Sequence, residues 1–159
     1  RGYDAASLWR TLAGGPLRLR FPAGSIVRAG RARGPLVGGC LSLLVTLVGT
    51  PYEPPLDGAI LYWEEVNEPP FRIDRMLAHL RLSGRLDRLA GMVVGRLVGY
   101  RARRAGDFLA LREILATHLA GTRYPVVIDL PAGHGPGKVT LPMGATARLD
   151  TAARLLSAR

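Results

Sequence analysis

The chain has 159 residues, 48% of them hydrophobic and 21% charged, a balance that suits a globular domain with a core. One cysteine excludes an internal disulfide, three scattered histidines do not fit the ligand spacing of a zinc site, and no apolar run approaches the roughly 20 residues of a membrane helix. The formal net charge of +10 comes from arginine, because Lys138 is the single lysine among 22 basic residues.

The positive charge is concentrated near the N-terminus. Residues 1–35 contain seven arginines and only one acid, Asp4. A basic stripe is typical of nucleic-acid binders, but no aromatic residue lies between Phe21 and Tyr52 to stack on bases. We therefore interpret the arginines as a compositional bias and expect no nucleic-acid partner. The chain begins with Arg1 and without a signal sequence, so we expect it to be a piece of a longer protein whose targeting cannot be read.

The first third of the chain predicts short elements. Apolar residues at helical spacing predict a helix over 4–12, which ends before Gly14-Gly15-Pro16. Alternation of apolar and charged residues predicts a strand over 17–21, and further short strands are predicted over 25–28 and 32–36. The apolar segment Cys40 to Val48 then predicts a buried helix.

The remainder alternates strands with helices. Continuous apolar runs predict buried strands over 59–63, 91–98 and 125–130. Between them, apolar stripes predict one helix from Ile73 to Gly84 and another with Asp107 as N-cap that runs to Leu119. Two short closing strands are predicted over 139–142 and 145–149. This order predicts an α/β domain with a partly parallel central sheet, flanked by short antiparallel strands.

Phosphate-binding motifs are not supported. Gly137-Lys138 invites a P-loop interpretation, but Ala132 stands where the first glycine is needed and Val139 where the magnesium-binding hydroxyl is needed. The loop is also followed by a predicted strand rather than a helix, which excludes a dinucleotide fingerprint. We expect neither a cofactor nor a metal ion.

One acid and one histidine follow predicted strands. Glu64 follows the strand 59–63, and His134 lies in a glycine-rich loop after the strand 125–130. Ligands of parallel sheets collect outside the carboxyl ends of the strands, and a carboxylate that holds an imidazole prepares it to act as a base. Strand alternation sends Glu64 and its neighbour Glu65 to opposite faces. By pattern alone, a capping glutamate and a surface histidine remain the alternative.

The other candidates have structural interpretations. His118 is predicted at the edge of the core, because it follows Leu111 and Ile114 on one helix face. His79 is predicted to be a partly solvated helix residue. The arginines that precede Asp107 are predicted to form a solvated charge run: Arg101, Arg103 and Arg104.

Several ordered segments together resemble a known enzyme family. They are Gly34 to Leu44, Gly49 to Tyr52, Ile60 to Glu68, Pro70 to Leu77, Gly133-His134 and Thr140 to Gly144. In this order they resemble the C-terminal half of the LD-carboxypeptidases, serine peptidases that include muramoyltetrapeptide carboxypeptidases and microcin-immunity peptidases. The similarity covers roughly residues 8 to 155.

The resemblance implies a swivelling β/β/α domain that supplies part of a catalytic triad. It places the family's glutamate on Glu64 and its histidine on His134, while the nucleophilic serine belongs to an N-terminal domain that this chain lacks. On this basis residues 1–34 are a basic, strand-rich lead-in from the interdomain region, and residues 35–159 are the C-terminal domain. The chain alone is then expected to be inactive.

The resemblance also implies a substrate, a location and alternatives. The substrate is a peptidoglycan-derived tetrapeptide that loses its terminal D-alanine in the cytoplasm, without a cofactor, metal or membrane; a homodimer is left open. The alternatives are a microcin-type hydrolase of the same family, a non-catalytic interaction module or a basic nucleic-acid-binding module. Three positions depart from the family: Cys40 replaces an asparagine, Glu65 an aspartate, and Tyr62-Trp63 smaller residues. Cys40 near a helix start is a less favoured candidate nucleophile.

Overall fold

The computed structural model describes residues 2–100 and 111–159. The helices are α1 Ala5–Leu12, α2 Leu41–Leu47, α3 Pro70–Leu82 and α4 Leu111–His118. The strands are β1 Leu17–Arg20, β2 Ile26–Arg28, β3 Arg31–Cys40, β4 Ile60–Val66, β5 Gly91–Val98, β6 Val126–Leu130, β7 Thr146–Asp150 and β8 Leu155–Ala158. The predicted N-cap at Asp107 and the arginine run 101–104 lie outside the described residues.

All the strands join one sheet with the order β1-β8-β7-β3-β4-β5-β6-β2. The neighbours from β3 to β6 are parallel, and helices α2, α3 and α4 connect them in turn. The remaining pairs are antiparallel. The predicted α/β fold with a partly parallel sheet and short antiparallel strands is therefore confirmed.

Strand β3 belongs to both kinds of pairing. Its first five residues, Arg31 to Pro35, pair antiparallel with β7, and its last five, Leu36 to Cys40, pair parallel with β4. The second stretch runs very close to β4, since a Cβ on Gly38 would lie 1.7 Å from the Tyr62 carbonyl oxygen. The strand predicted over 32–36 thus continues up to the start of α2, and the domain boundary predicted at 34/35 falls within it.

The core has two parts, one on each face of the parallel strands. On one face the helices pack on alternate strand residues such as Leu61, Trp63 and Met92. On the other face, Ile60 and Tyr62 pack against apolar residues of β1, β7 and β8, so the antiparallel strands curl over the parallel ones to form a half-barrel. No helix in the described part of the chain is long and apolar enough to cross a bilayer.

The predicted closing pair of strands is partly wrong. Residues 139–142 are not a strand, because the Val139 N–H donates to the Pro131 carbonyl and the Thr140 N–H to the Ser7 hydroxyl. Strand β7 pairs with β3 and with β8, a strand that sequence reasoning missed, and β8 also pairs with β1. The pairing of β1 with β8 joins residues that are far apart in the chain, which local sequence pattern does not reveal.

Candidate active site

Strands β4, β5 and β6 end at the same edge of the sheet, and both predicted site residues lie there. Glu64 is near the end of β4, and His134 follows β6 by four residues. Pairing of the strands is irregular at this edge: the register shifts between Trp63 and Glu65, and again between Val93 and Gly95. Such bulges bend strands and redirect side chains, which is why they are frequent beside active sites.

Glu64 and His134 form a direct hydrogen bond. Nδ1 of His134 lies 2.8 Å from Oε2 of Glu64, and the His134 backbone N–H donates to the same oxygen at 3.2 Å. The Glu64 side chain is 6% exposed, whereas the His134 side chain is 52% exposed. An ionised carboxylate can only accept hydrogen bonds, so in the neutral form of this ring Nδ1 carries the proton and Nε2 carries the lone pair. The arrangement holds a half-exposed imidazole in the tautomer that can accept a proton.

Two glycines make room for this pair: Gly133, which belongs to the predicted glycine-rich loop, and Gly95, which sequence reasoning did not assign to the site. Gly133 has a φ of +100°, and a Cβ there would lie 2.7 Å from Glu64 Oε2. Gly95, inside β5, would place a Cβ 2.9 Å from Glu64 Cβ and 2.7 Å from the Tyr62 hydroxyl. The role of Gly95 could have been predicted from the sequence, because a glycine in the middle of a buried strand indicates that neighbouring atoms approach closely.

Glu65 points away from His134. Its carboxylate accepts hydrogen bonds from the Ser42 N–H at 2.7 Å, the Val66 N–H at 3.1 Å and the Cys40 thiol at 3.1 Å. Burial acts to raise the pKa of Glu65, but these hydrogen bonds outweigh it and hold that pKa below its ordinary value. Adjacent carboxylates on one strand thus have separate environments, as strand alternation predicts.

Cys40 is placed against Glu65 rather than against His134. Burial raises the pKa of the Cys40 thiol, and the hydrogen bond to Glu65 raises it further, although the contact with Ser42 opposes both. The thiolate is the nucleophilic form of cysteine, so this environment suppresses its reactivity. The geometry therefore gives no support to Cys40 as a nucleophile.

The N-terminal segment lies against the loop that carries His134. The Gly137 N–H donates to the Gly2 carbonyl at 2.7 Å, and the Asp4 N–H to the Lys138 carbonyl at 3.0 Å. His134 lines a depression of about 510 Å³ whose other walls are Gly2, Tyr3, Gly135, Pro136 and Lys138. Sequence reasoning missed this contact, because it joins residues more than 130 positions apart.

The other histidines are placed as predicted. His118 is 8% exposed and packs in the core, where its Nε2 lies 2.7 Å from Asp74 Oδ1 and ties α4 to α3. His79 is exposed on α3. Within residues 2–100 and 111–159, no group of three or more His, Cys, Asp and Glu side chains could hold a metal ion.

Comparison with known proteins identifies related carboxypeptidases. A probable murein peptide carboxypeptidase of Bacillus subtilis is 35% identical over 123 residues, which are 77% of this chain and 39% of the relative. The murein tetrapeptide carboxypeptidase of Pseudomonas aeruginosa is 31% identical over 122 residues, 76% of this chain and 39% of the relative. The microcin C7 self-immunity protein MccF of Escherichia coli is 27% identical over 123 residues, 77% of this chain and 35% of the relative.

A solved structure extends the match to almost the whole chain. The muramoyltetrapeptide carboxypeptidase of Oxalobacter formigenes superposes with a TM-score of 0.86 and 28% identity, covering 99% of this chain and 54% of that one. The chain thus spans about half the length of the proteins that it matches, or less. Residues 33–149 match the family described as the LD-carboxypeptidase C-terminal domain. The chain belongs to the LD-carboxypeptidase family, of which it contains the C-terminal domain.

Proposed function

We propose that this chain is the histidine- and glutamate-bearing part of a serine-type LD-carboxypeptidase, which removes the terminal D-alanine from peptidoglycan-derived tetrapeptides. The observation that carries the proposal is the 2.8 Å hydrogen bond between His134 Nδ1 and Glu64. It joins the two residues that the family resemblance selects, at the edge of the sheet where parallel strands end. The named murein carboxypeptidases among its relatives support the substrate class.

The proposed reaction is acyl transfer to a serine. Nε2 of His134 accepts the hydroxyl proton while the serine oxygen attacks the carbonyl carbon of the bond to D-alanine. Glu64 keeps the ring in position and stabilises the imidazolium that forms. The imidazolium then gives its proton to the departing amine of D-alanine, and a water molecule, activated by the same histidine, releases the acyl group from the serine.

The serine itself would come from outside this chain. Among the described residues that line the depression with His134, none is a serine, threonine or cysteine, and Tyr3 carries the only hydroxyl. Cys40 faces Glu65 and has a raised pKa, so it does not replace the serine. We therefore assign the nucleophile to the family's N-terminal domain. In the complete enzyme the serine would reach Nε2 of His134 at the interface between that domain and this one.

A microcin-type activity is the second candidate, supported by the similarity to MccF. Both activities would use the same proton transfers and would differ in the groups that flank the hydrolysed amide. A location in the cytoplasm and assembly as a homodimer stay predictions from the resemblance.

The experiment compares the chain alone with a reconstituted enzyme. The chain alone should release no D-alanine from a tetrapeptide ending in D-alanine, because loss of a nucleophile reduces kcat by about a million-fold. Fusion to the N-terminal part of the Pseudomonas aeruginosa relative should restore the release of D-alanine. A microcin-type aminoacyl nucleotide, tested with the same fusion, distinguishes the second candidate activity. Activity of the chain alone would overturn the proposal.

A second measurement tests the pair when a fusion does not fold. The ¹⁵N spectrum of neutral His134 in the chain alone should show Nδ1 protonated and Nε2 unprotonated, and Glu64→Ala, which removes the acceptor, should abolish that preference. The His79→Ala variant provides the control, because His79 is exposed and remote from the pair. A His134 ring with mixed tautomers in the unsubstituted chain would contradict the proposed role.

A further inference from the structure

Arginines form a row across the antiparallel strands of the sheet. The register places Arg33 of β3 opposite Arg148 of β7, Arg148 opposite Ser157 of β8, and Ser157 opposite Arg18 of β1. Neighbouring strands lie about 4.8 Å apart, so the row spans about 14 Å. Residues that come from four different parts of the chain are thereby aligned side by side.

The row lies on the outer face of the half-barrel. Residues adjacent to it in sequence, such as Leu17, Leu149 and Leu156, are buried in the core on the inner face. Arg18, Arg33 and Arg148 are exposed. The helices cover the outer face of the parallel strands and leave this one bare.

The charge of this face is not compensated within the described residues. Its arginines are Arg18, Arg20, Arg31, Arg33, Arg148 and Arg159. Asp150 is the only acid among the outward residues of β1, β3, β7 and β8, and it pairs with Arg31 at 2.9 Å. The other five guanidinium groups have no carboxylate within ion-pair distance in the described part of the chain. Like charges directly across a strand pair destabilise a sheet, and Arg33 opposite Arg148 is such a pair.

Four of these arginines surround one depression. Its volume is about 530 Å³, and its walls include Arg18, Arg33, Arg148 and Arg159. The hydroxyl-bearing residues Thr146 and Ser157 lie between them on the same surface. Guanidinium groups that flank hydroxyls provide several hydrogen-bond donors for the oxygens of an anion.

We propose that this arginine face binds a small oligophosphate, such as a tripolyphosphate group. Several phosphate groups in one chain would contact successive arginines of the row and neutralise the repulsion between Arg33 and Arg148. A nucleic acid fits less well, since the outward residues of these strands include no aromatic side chain on which a base could stack. The face is separate from the Glu64–His134 pair, because Glu64 lies at the edge of the inner face with Tyr62.

Calorimetric titration of the chain with sodium tripolyphosphate tests the proposal. At 0.15 M salt we expect one saturable site with a Kd on the order of 10 μM, and the double variant Arg33→Gln/Arg148→Gln should weaken it at least about tenfold. The matched control, Arg75→Gln/Arg123→Gln, removes the same charge from exposed positions elsewhere and should keep the affinity within about twofold.

Thermal unfolding provides a second test, in which the double variant should be more stable than the unsubstituted chain although it binds tripolyphosphate less tightly. Without ligand, the Arg33→Gln/Arg148→Gln variant should melt about 1–3 °C higher than the unsubstituted chain, because the like-charge pair is gone. With tripolyphosphate, the unsubstituted chain should gain more in Tm than the variant. A higher melting temperature of the ligand-free variant also shows that it folds.

Three results would overturn the proposal. They are the absence of saturable binding, an equal loss of affinity in the control variant, and tighter binding of a duplex DNA than of tripolyphosphate at the same salt. The last result would identify the face as a nucleic-acid surface. The test measures binding rather than hydrolysis, so its outcome does not depend on the proposed carboxypeptidase activity.

Discussion

The two halves of the sheet differ in how many of their faces are covered. In the parallel half, which comprises β4, β5, β6 and the end of β3, helices pack on one face and the antiparallel strands on the other. In the antiparallel half, which comprises β1, β8, β7 and the start of β3, one face is buried and the other carries arginines. In the parallel half only the strand ends are accessible to a ligand, whereas in the antiparallel half one face of the sheet is accessible.

This difference determines where substitutions should matter. At the strand ends, Glu64 is buried and held by a few close contacts, so small displacements change the geometry of the pair. On the arginine face, side chains are exposed and make few contacts, so their removal should leave the fold intact. Substitutions at the strand ends should therefore change activity strongly, and substitutions on the arginine face should change it little.

The largest effect is expected for the pair itself in the reconstituted enzyme. His134→Ala should lower kcat by about 10⁶-fold because it removes the base, and Glu64→Ala by about 10⁴-fold because an unoriented imidazole still accepts a proton. The double variant should be little worse than His134→Ala, since residues that act as a unit are not additive. Steady-state release of D-alanine measures all three, with His79→Ala as the control. Multiplicative losses in the double variant would mean that the two residues act independently.

The next effect concerns the glycine beside the pair. Gly133→Ala should lower kcat of the reconstituted enzyme by about 100-fold or more, because the added Cβ would displace the Glu64 carboxylate. Gly137→Ala is the control: its φ of +63° is also positive, but nothing lies within 4 Å of the new Cβ. Equal losses in both variants would assign the effect to backbone conformation rather than to the contact with Glu64.

Close packing of β3 on β4 predicts a loss of stability. Gly38→Ala should lower the free energy of unfolding by about 3 kcal/mol or more, because its Cβ would overlap the backbone of Tyr62. Its neighbour Gly39 has no atom within 4 Å of a new Cβ, so Gly39→Ala should change stability by less than about 1 kcal/mol. Urea denaturation distinguishes the two, and a tolerated Gly38→Ala would show that β3 and β4 can separate.

The smallest effect is electrostatic and lies away from the site. Hydrogen bonds from Arg85 and from the Gly49 N–H lower the pKa of Glu53 to about 2. The ionised carboxylate therefore stabilises the fold above pH 4.5, and this contribution disappears as the pH falls from 4.5 to 2. Glu53→Gln should lower stability by less than about 1 kcal/mol at pH 7, and by much less near pH 2, where the Glu53 carboxyl of the folded chain is about half protonated.

The control for this prediction is another ion pair. Glu68→Gln removes a partner of Arg72, in a pair whose side chains are 20% and 46% exposed, and should have a smaller effect at pH 7. Urea denaturation at pH 2, 4 and 7 measures both variants. A difference between Glu53→Gln and the unsubstituted chain that is as large at pH 2 as at pH 7 would contradict the charge-based explanation.

The parallel half was largely predictable from the sequence. Its strands are continuous apolar runs, such as Ala59 to Trp63, because both faces are covered and every side chain meets apolar neighbours. Glu64 follows one such run and His134 follows another. That the two residues lie at the same edge of the sheet could be predicted, because parallel strands end at one edge. The bond between the two residues required the structure, since it depends on how the loop turns at Gly133.

The antiparallel half was harder to predict. Strand β8 is only four residues long, and one of its two partners, β1, lies near the other end of the chain. The segment 139–142 contains β-branched residues but bonds to α1 and to the loop after β6 instead of a strand. Alternation along one strand shows which residues of that strand share a face. The row of arginines depends in addition on the register between neighbouring strands, which is known only from the folded chain.

The dual pairing of β3 has a consequence for how related sequences can vary in length. Insertion or deletion of one residue within 31–40 would break the register with β7 or with β4, and would turn half of the strand inside out. Length variation among homologous domains should therefore be absent from β3 and concentrated in surface connections between the elements.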